Sequence, residues 1–182
     1  MIDLRPVGYI IGLLVAVLGI TMLAPFGVDY FSGYEGAGTF ALCAMITVVA
    51  GGLLSLSCAN ASLSALTIQQ TFLLTTLSWL VLPVFGALPF WLGEPKANYV
   101  DAFFEAMSGL TTTGSTVFSG LETLPMGTLL WRGMMQWFGG VGIIVVAMAF
   151  LPTLKVGGMQ IFRSEGFDTI GKVLPRACLL YT

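Results

Sequence analysis

The sequence predicts an all-α membrane protein, and three observations carry that prediction. Hydrophobic residues fill 57% of the 182 positions and charged residues only 9%, against about a quarter charged in a soluble domain. Mean hydropathy is +0.94. Residues 36–93 contain no charge at all, a run for which a soluble fold has no use.

A spanning helix needs roughly 20 apolar residues to cross about 30 Å of hydrocarbon. Residues 6–28 therefore hold one span, residues 36–93 two, and the uncharged run 133–154 a fourth. The apolar core of the first exceeds the roughly 7–15 residues of a secretory signal, and no convincing cleavage site follows it. In order, the pattern predicts a helix over about 7–24, an external loop over 25–38 carrying Asp29 and Glu35, and a helix over about 37–58. A short polar turn follows around Asn60, then a helix over about 67–91, broken by Pro89, Gly93 and Pro95.

Residues 99–110, YVDAFFEAMSGL, place Phe103, Phe104, Met107 and Leu110 at three- and four-residue spacings, a helical pattern. This helix is too short to cross a bilayer and is better read as a re-entrant segment. TTTGST follows, then VFSGLETLPMGT as a return to the surface, then the last span from about Leu129. Two leading transmembrane helices plus one membrane–pore–membrane unit, with a re-entrant half-helix and a filter loop, is the architecture expected. VLPRACLLYT at the C-terminus reads as the start of a further span, truncated before any second repeat. The domains on this reading are 1–65, two N-terminal helices; 66–165, the first membrane–pore–membrane repeat; and 166–182, a linker and the start of the next helix.

Arg5 precedes the first span, while Lys155, Arg163, Lys172 and Arg176 follow the fourth, so five of the seven basic residues lie at the two ends. Cytoplasmic loops are enriched in Lys and Arg. Both ends are therefore expected in the cytoplasm, although the connection over 57–70 has no basic residue. With no histidine, and with Cys43, Cys58 and Cys178 at no metal-ligand spacing, neither a zinc site nor a disulfide framework is indicated. No nucleophile–base pair marks an enzyme, no basic patch serves nucleic acid, and no organic cofactor is implied.

Irregular backbone at membrane depth is tolerated only where it is buried in protein or lines an aqueous cavity. A potassium filter uses rows of backbone carbonyls to replace the ion's hydration shell. Gly114 can take a positive φ without steric cost, the threonines add stiff hydroxyl side chains, and a helix C-terminus aimed at the loop favours a cation. Two other readings stand beside this one. TTTGST can be an ordinary capped loop, since Thr, Gly and Ser are common turn residues. GLTTTGST also satisfies a phosphate-loop GxxxxG, but Ser115 stands where that loop needs lysine and no strand leads in.

FFEAMSGLTTTGSTVFSGLETLP, then LLWRGMMQWFGGVGIIVVAMAFLPTLKVGGMQIFRSE, resembles the first pore repeat of the Trk/Ktr potassium transporters, without a gap over about 101–165 and more weakly back to Trp79. The two extra leading spans resemble the TrkH/TrkG type of membrane subunit. The resemblance implies potassium uptake across the inner (cytoplasmic) membrane by a channel-like subunit, with four such repeats around one axis. It further implies a homodimer of the full-length protein and a cytoplasmic nucleotide-binding regulatory subunit, TrkA-like. Carried onto this sequence, the filter is Thr111, Thr112, Thr113, Gly114 and Ser115, with K+ held by the backbone carbonyls of Thr112 and Thr113. The alternative class is a secondary transporter subunit with a substrate site at a broken helix.

Asp101 and Glu105 share a face of the short helix. They either gather cations at the outer mouth, or Asp101 caps the helix while Glu105 accepts backbone hydrogen bonds or pairs with Arg132. Gly139, Gly140 and Gly142 are expected to permit close helix approach, and Trp79, Trp91, Trp131 and Trp137 to sit at membrane interfaces.

Overall fold

A computed structural model describes residues 3–60 and 66–150. The connection at 61–65 and everything after 150 lie outside it, including the four C-terminal basic residues, Cys178, the end of the fourth uncharged run and the 166–182 segment.

The first apolar run forms two helices in line, α1 (Arg5–Thr21) and α2 (Leu23–Phe31), interrupted only at Met22. Pro6 sits in the first turn of α1, where its missing N–H has no intrahelical partner to lose. Pro25 is likewise in the first turn of α2 and starts a helix instead of ending one. The expected external loop over 25–38 is thus corrected: helix continues to Phe31, and Asp29 is 1% exposed rather than solvated. A single turn, Glu35–Ala37, leads into α3 (Gly38–Ser57).

Helix α4 (Ile68–Gly86) opens with a capping box, in which the Thr67 hydroxyl accepts from Gln70 N and the Gln70 side chain accepts from Thr67 N. Gln70 Nε2 also donates to the Asp3 carbonyl at 2.7 Å, bringing the start of the chain to the α3–α4 end of the bundle. A break at Ala87 precedes α5 (Leu88–Leu92), so Pro89 falls inside the second helical piece, near its start. Then come α6 (Tyr99–Leu110), as the sequence predicts, and α7 (Met126–Phe150), three residues earlier than expected.

Among the described residues, three helical stretches are long and apolar enough to cross a membrane: Arg5–Phe31, Glu35–Ser57 and Ile68–Leu92. Their outer faces leave Leu13, Val17 and Ile20, and Met45, Val49 and Leu53, exposed. Such faces suit lipid.

Packing in the first hairpin depends on glycine. A Cβ on Gly12 would meet Ser55 N at 2.5 Å, and one on Gly51 would meet Ala16 N at 2.5 Å, so the α1 and α3 backbones nearly touch. One turn earlier, a Cβ on Gly8 would meet the Cys58 Sγ at 2.8 Å. On its other side, α1 packs Val7, Ile11 and Val15 against Leu74, Leu77 and Val81 of α4.

A second core joins Met22 and Phe40 of the leading helices to Ala102 and Ala106 of α6 and Trp131 and Met135 of α7. The leading helices and the later ones consequently share one compact unit, Met1–Val141. Trp131 is fully buried and donates Nε1–H to the Gly86 carbonyl at 2.9 Å, filling an acceptor left free at the α4–α5 break. That corrects its expected interfacial place. Trp91 and Trp137 are exposed, at 46% and 67%.

Candidate ion-binding loop

Helix α6 buries Ala102, Glu105, Ala106 and Ser108 through Leu110. Its N-cap is Asn98, without a side-chain cap bond, and Asp101 lies in the first turn, so Asp101 is not the cap the sequence suggested. The far end is held tightly against α7. A Cβ built on Gly139 would overlap the Leu110 carbonyl oxygen, and one on Gly109 would come within 3.1 Å of Met135 Cβ. Close approach is therefore the role of Gly139, as expected, whereas Gly140 has nothing within 4 Å among the described residues.

The chain leaves α6 by a Schellman turn. Thr112 N donates to Gly109 O at 2.9 Å and Thr113 N to Ser108 O at 3.0 Å, with Thr112 left-handed at φ +56. Glycine ordinarily fills that position. A β-branched residue there is a local strain of order 1–3 kcal/mol, invisible in the sequence because TTTG directs attention to its glycine. Gly114 is also left-handed, at φ +76, as the sequence predicts.

From there the loop returns along α6. The Thr111 hydroxyl donates to Met107 O at 2.8 Å and lies 2.8 Å from the Thr113 hydroxyl. Ser108 Oγ donates to Ser115 O at 2.6 Å. Further up, the Glu105 carboxylate, side chain fully buried, accepts from Thr116 Oγ1 at 3.0 Å and Val117 N at 3.1 Å, and pairs with Arg132 of α7. The structural reading of Glu105 holds, since its charge is spent on the loop and on Arg132.

Of the five candidate residues, Thr111 is half-buried and Thr112, Thr113, Gly114 and Ser115 are exposed. Among the described residues, the carbonyl oxygens of Thr112, Thr113 and Gly114 accept no hydrogen bond, whereas that of Ser115 accepts from Ser108. A run of unpaired carbonyls at the negative end of a helix dipole suits a cation. No strand occurs among the described residues, and none leads into GLTTTGST.

Outside this loop, Asp29 Oδ1 accepts from Gly127 N at 2.6 Å, capping α7 from across 98 residues of sequence. Its Oδ2 has no partner among the described residues. Nothing in the local sequence announces so distant a cap.

Residues 38–172 match the family model TrkH, described as a cation transport protein. The chain belongs to the TrkH family. Among its relatives, a Trk system potassium uptake protein TrkI from Halomonas elongata is 42% identical over 171 residues, covering 94% of this chain and 35% of the relative. The Trk system potassium uptake protein TrkH of Escherichia coli is 43% identical over 162 residues, covering 88% of this chain and 33% of that one. A crystal structure of the potassium transporter TrkH from Vibrio parahaemolyticus aligns with a TM-score of 0.80 at 36% identity, over 99% of this chain and 37% of that one. The chain thus spans about a third of the length of these relatives. The family match reaches back to residue 38, well before the pore-repeat resemblance, so α3 and α4 also carry the family's pattern. With its apolar helices, this TrkH-family chain is a membrane protein.

Proposed function

We propose that this chain serves potassium uptake across the inner membrane as part of the channel-like translocating subunit of a Trk-type system. Residues Thr111 to Ser115 form one strand of its selectivity filter, and the Thr112 and Thr113 carbonyls are its K+ ligands. The observation that carries this reading is the run of unpaired carbonyls at Thr112, Thr113 and Gly114 just past the C-terminus of α6, with Thr112 and Gly114 left-handed. At about 1.5 Å per residue, the 12 residues of α6 reach roughly 18 Å, short of the 30 Å hydrocarbon core. On this reading α6 enters from outside and returns, and α7 is the fourth span. The relatives' names speak of potassium uptake, which supports K+ as the transported ion. A homodimer of the full-length protein and a TrkA-like nucleotide-binding regulatory subunit complete the proposal, with the N-terminus cytoplasmic.

A secondary transporter with its substrate at a broken helix gains no support. Among the described residues, the helix breaks at Met22 and Ala87 are filled, both residues being 0% exposed.

The test is Gly114→Ser in the full-length transporter, with Glu122→Gln as a control in the return segment. A side chain at φ +76 costs about 1–2 kcal/mol and crowds the axis shared by the filter strands. Uptake normalised to membrane-inserted protein should show a reduced K+/Na+ ratio for Gly114→Ser and a nearly unchanged one for Glu122→Gln. An unchanged ratio in Gly114→Ser rejects this loop as the filter.

A further inference from the structure

Glu105, Ser108 and Thr111 follow one another at three-residue steps, which places them along one side of α6. Each takes hold of a different part of the returning loop. Ser108 holds the most: its carbonyl accepts from Thr113 N at 3.0 Å and Gly114 N at 3.4 Å, and its hydroxyl donates to Ser115 O at 2.6 Å.

The peptide plane turns those bonds into a direction. In a trans peptide the N–H of one residue and the C=O of the residue before it point opposite ways. With Thr113 N–H and Gly114 N–H turned toward Ser108, the carbonyls of Thr112 and Thr113 are turned away from α6, to the exposed side. At Ser115 the order reverses, and the carbonyl itself faces the helix. Directly beyond, Thr116 and Val117 are fastened to Glu105, which Arg132 of α7 holds from behind.

Resting on the filter reading above, we infer that Ser108 and Glu105 are positioning residues for ion selection. They pin the return strand at Ser115 and at Thr116–Val117, so that the Thr112 and Thr113 carbonyls keep the spacing that distinguishes K+ from Na+. The Ser108 hydroxyl is the more decisive, because Ser115 O is the first carbonyl after the free ones of Thr112, Thr113 and Gly114 that is tied back to α6. Freed of it, the far end of the strand can rotate and let the carbonyls close on a smaller ion.

The experiment uses the full-length transporter in membranes, with K+ and Na+ uptake measured per amount of inserted protein. Ser108→Ala removes the hydroxyl and leaves both backbone bonds in place. Its K+/Na+ ratio should fall by about threefold or more, the scale of one lost hydrogen bond, with the amount of inserted protein unchanged. Ser108→Thr keeps a hydroxyl and should restore the ratio. Thr116→Val removes one donor to Glu105 without touching the Glu105–Arg132 pair, and should lower the ratio to a smaller extent; it decides the matter should Ser108→Ala fail to insert. An unaltered ratio in Ser108→Ala, a fall in both uptakes only in step with protein amount, or a Ser108→Thr no better than Ser108→Ala each overturns the inference. Gly114→Ser, measured alongside, separates the two claims. A shifted ratio there with none in Ser108→Ala removes the positioning role and leaves the filter, whereas no shift in either removes both.

Discussion

Arg132 donates its Nε–H to the Glu105 carboxylate, joining α7 to α6 behind the loop. Among the described residues this is the only ion pair. Removing one member of a buried pair strands the other charge. Arg132→Met should therefore destabilise the protein by about 2 to 3 kcal/mol, toward the low end for such pairs because the arginine side chain keeps 16% exposure. The double variant Glu105→Gln/Arg132→Met should recover part of that loss. Thermal unfolding of detergent-solubilised protein checks both, and a double variant no more stable than Arg132→Met contradicts the pairing.

Gly139 should tolerate no side chain, because a Cβ there would overlap the Leu110 carbonyl oxygen. Overpacking of this kind costs typically 1–3 kcal/mol, so Gly139→Ala should lower the melting temperature by several degrees or prevent accumulation. Next to it, Gly140 has open space among the described residues. Gly140→Ala should be neutral, or stabilise slightly by improving helix propensity. Equal behaviour of the two variants would show that helix flexibility, not contact, sets their effect.

Asp29 should behave as the cap of α7. Asp29→Ala leaves Gly127 N unpaired and should cost about 1 kcal/mol, in the range of lost helix caps. Asp29→Asn keeps an acceptor at Oδ1 and removes a buried charge whose other oxygen lacks a partner among the described residues, so it should retain most of the stability. Chemical denaturation of the two variants side by side is the measurement. Asn performing as badly as Ala would mean that the charge, and not the hydrogen bond, holds the helix start.

Labelling of cysteines in intact cells tests the topology. In a background without Cys43, Cys58 and Cys178, a cysteine replacing Ser119 in the return segment should react with a membrane-impermeant reagent applied outside, and one replacing Glu165 should not. The reverse pattern would invert the protein.

Residue order and apolar runs told most of the helical plan, because a run of apolar residues with so few charges has few ways to satisfy its backbone other than helix. Tyr99–Leu110 was legible to the residue, and so was the positive φ of Gly114. What escaped was non-local. Proline near Phe26 reads as a break, yet it starts a second helix because α2 begins two residues earlier. Trp131 reads as an interfacial aromatic until the Gly86 carbonyl is placed beside it. Thr112 in a left-handed conformation defies its own preference, and the loop bonds that impose it run to Ser108 and Gly109.

The bond between Asp29 and Gly127 also imposes an order on biogenesis. The carboxylate emerges from the ribosome with the first span, and its partner amide follows 98 residues later. At about 5–20 residues per second, that is an interval of roughly 5 to 20 s. For that time an acidic side chain near the end of an apolar helix has no α7 to cap, and an unpaired charge in hydrocarbon is costly. The contact between the first helical stretch and the start of α7 can thus close only after residue 127 has been made.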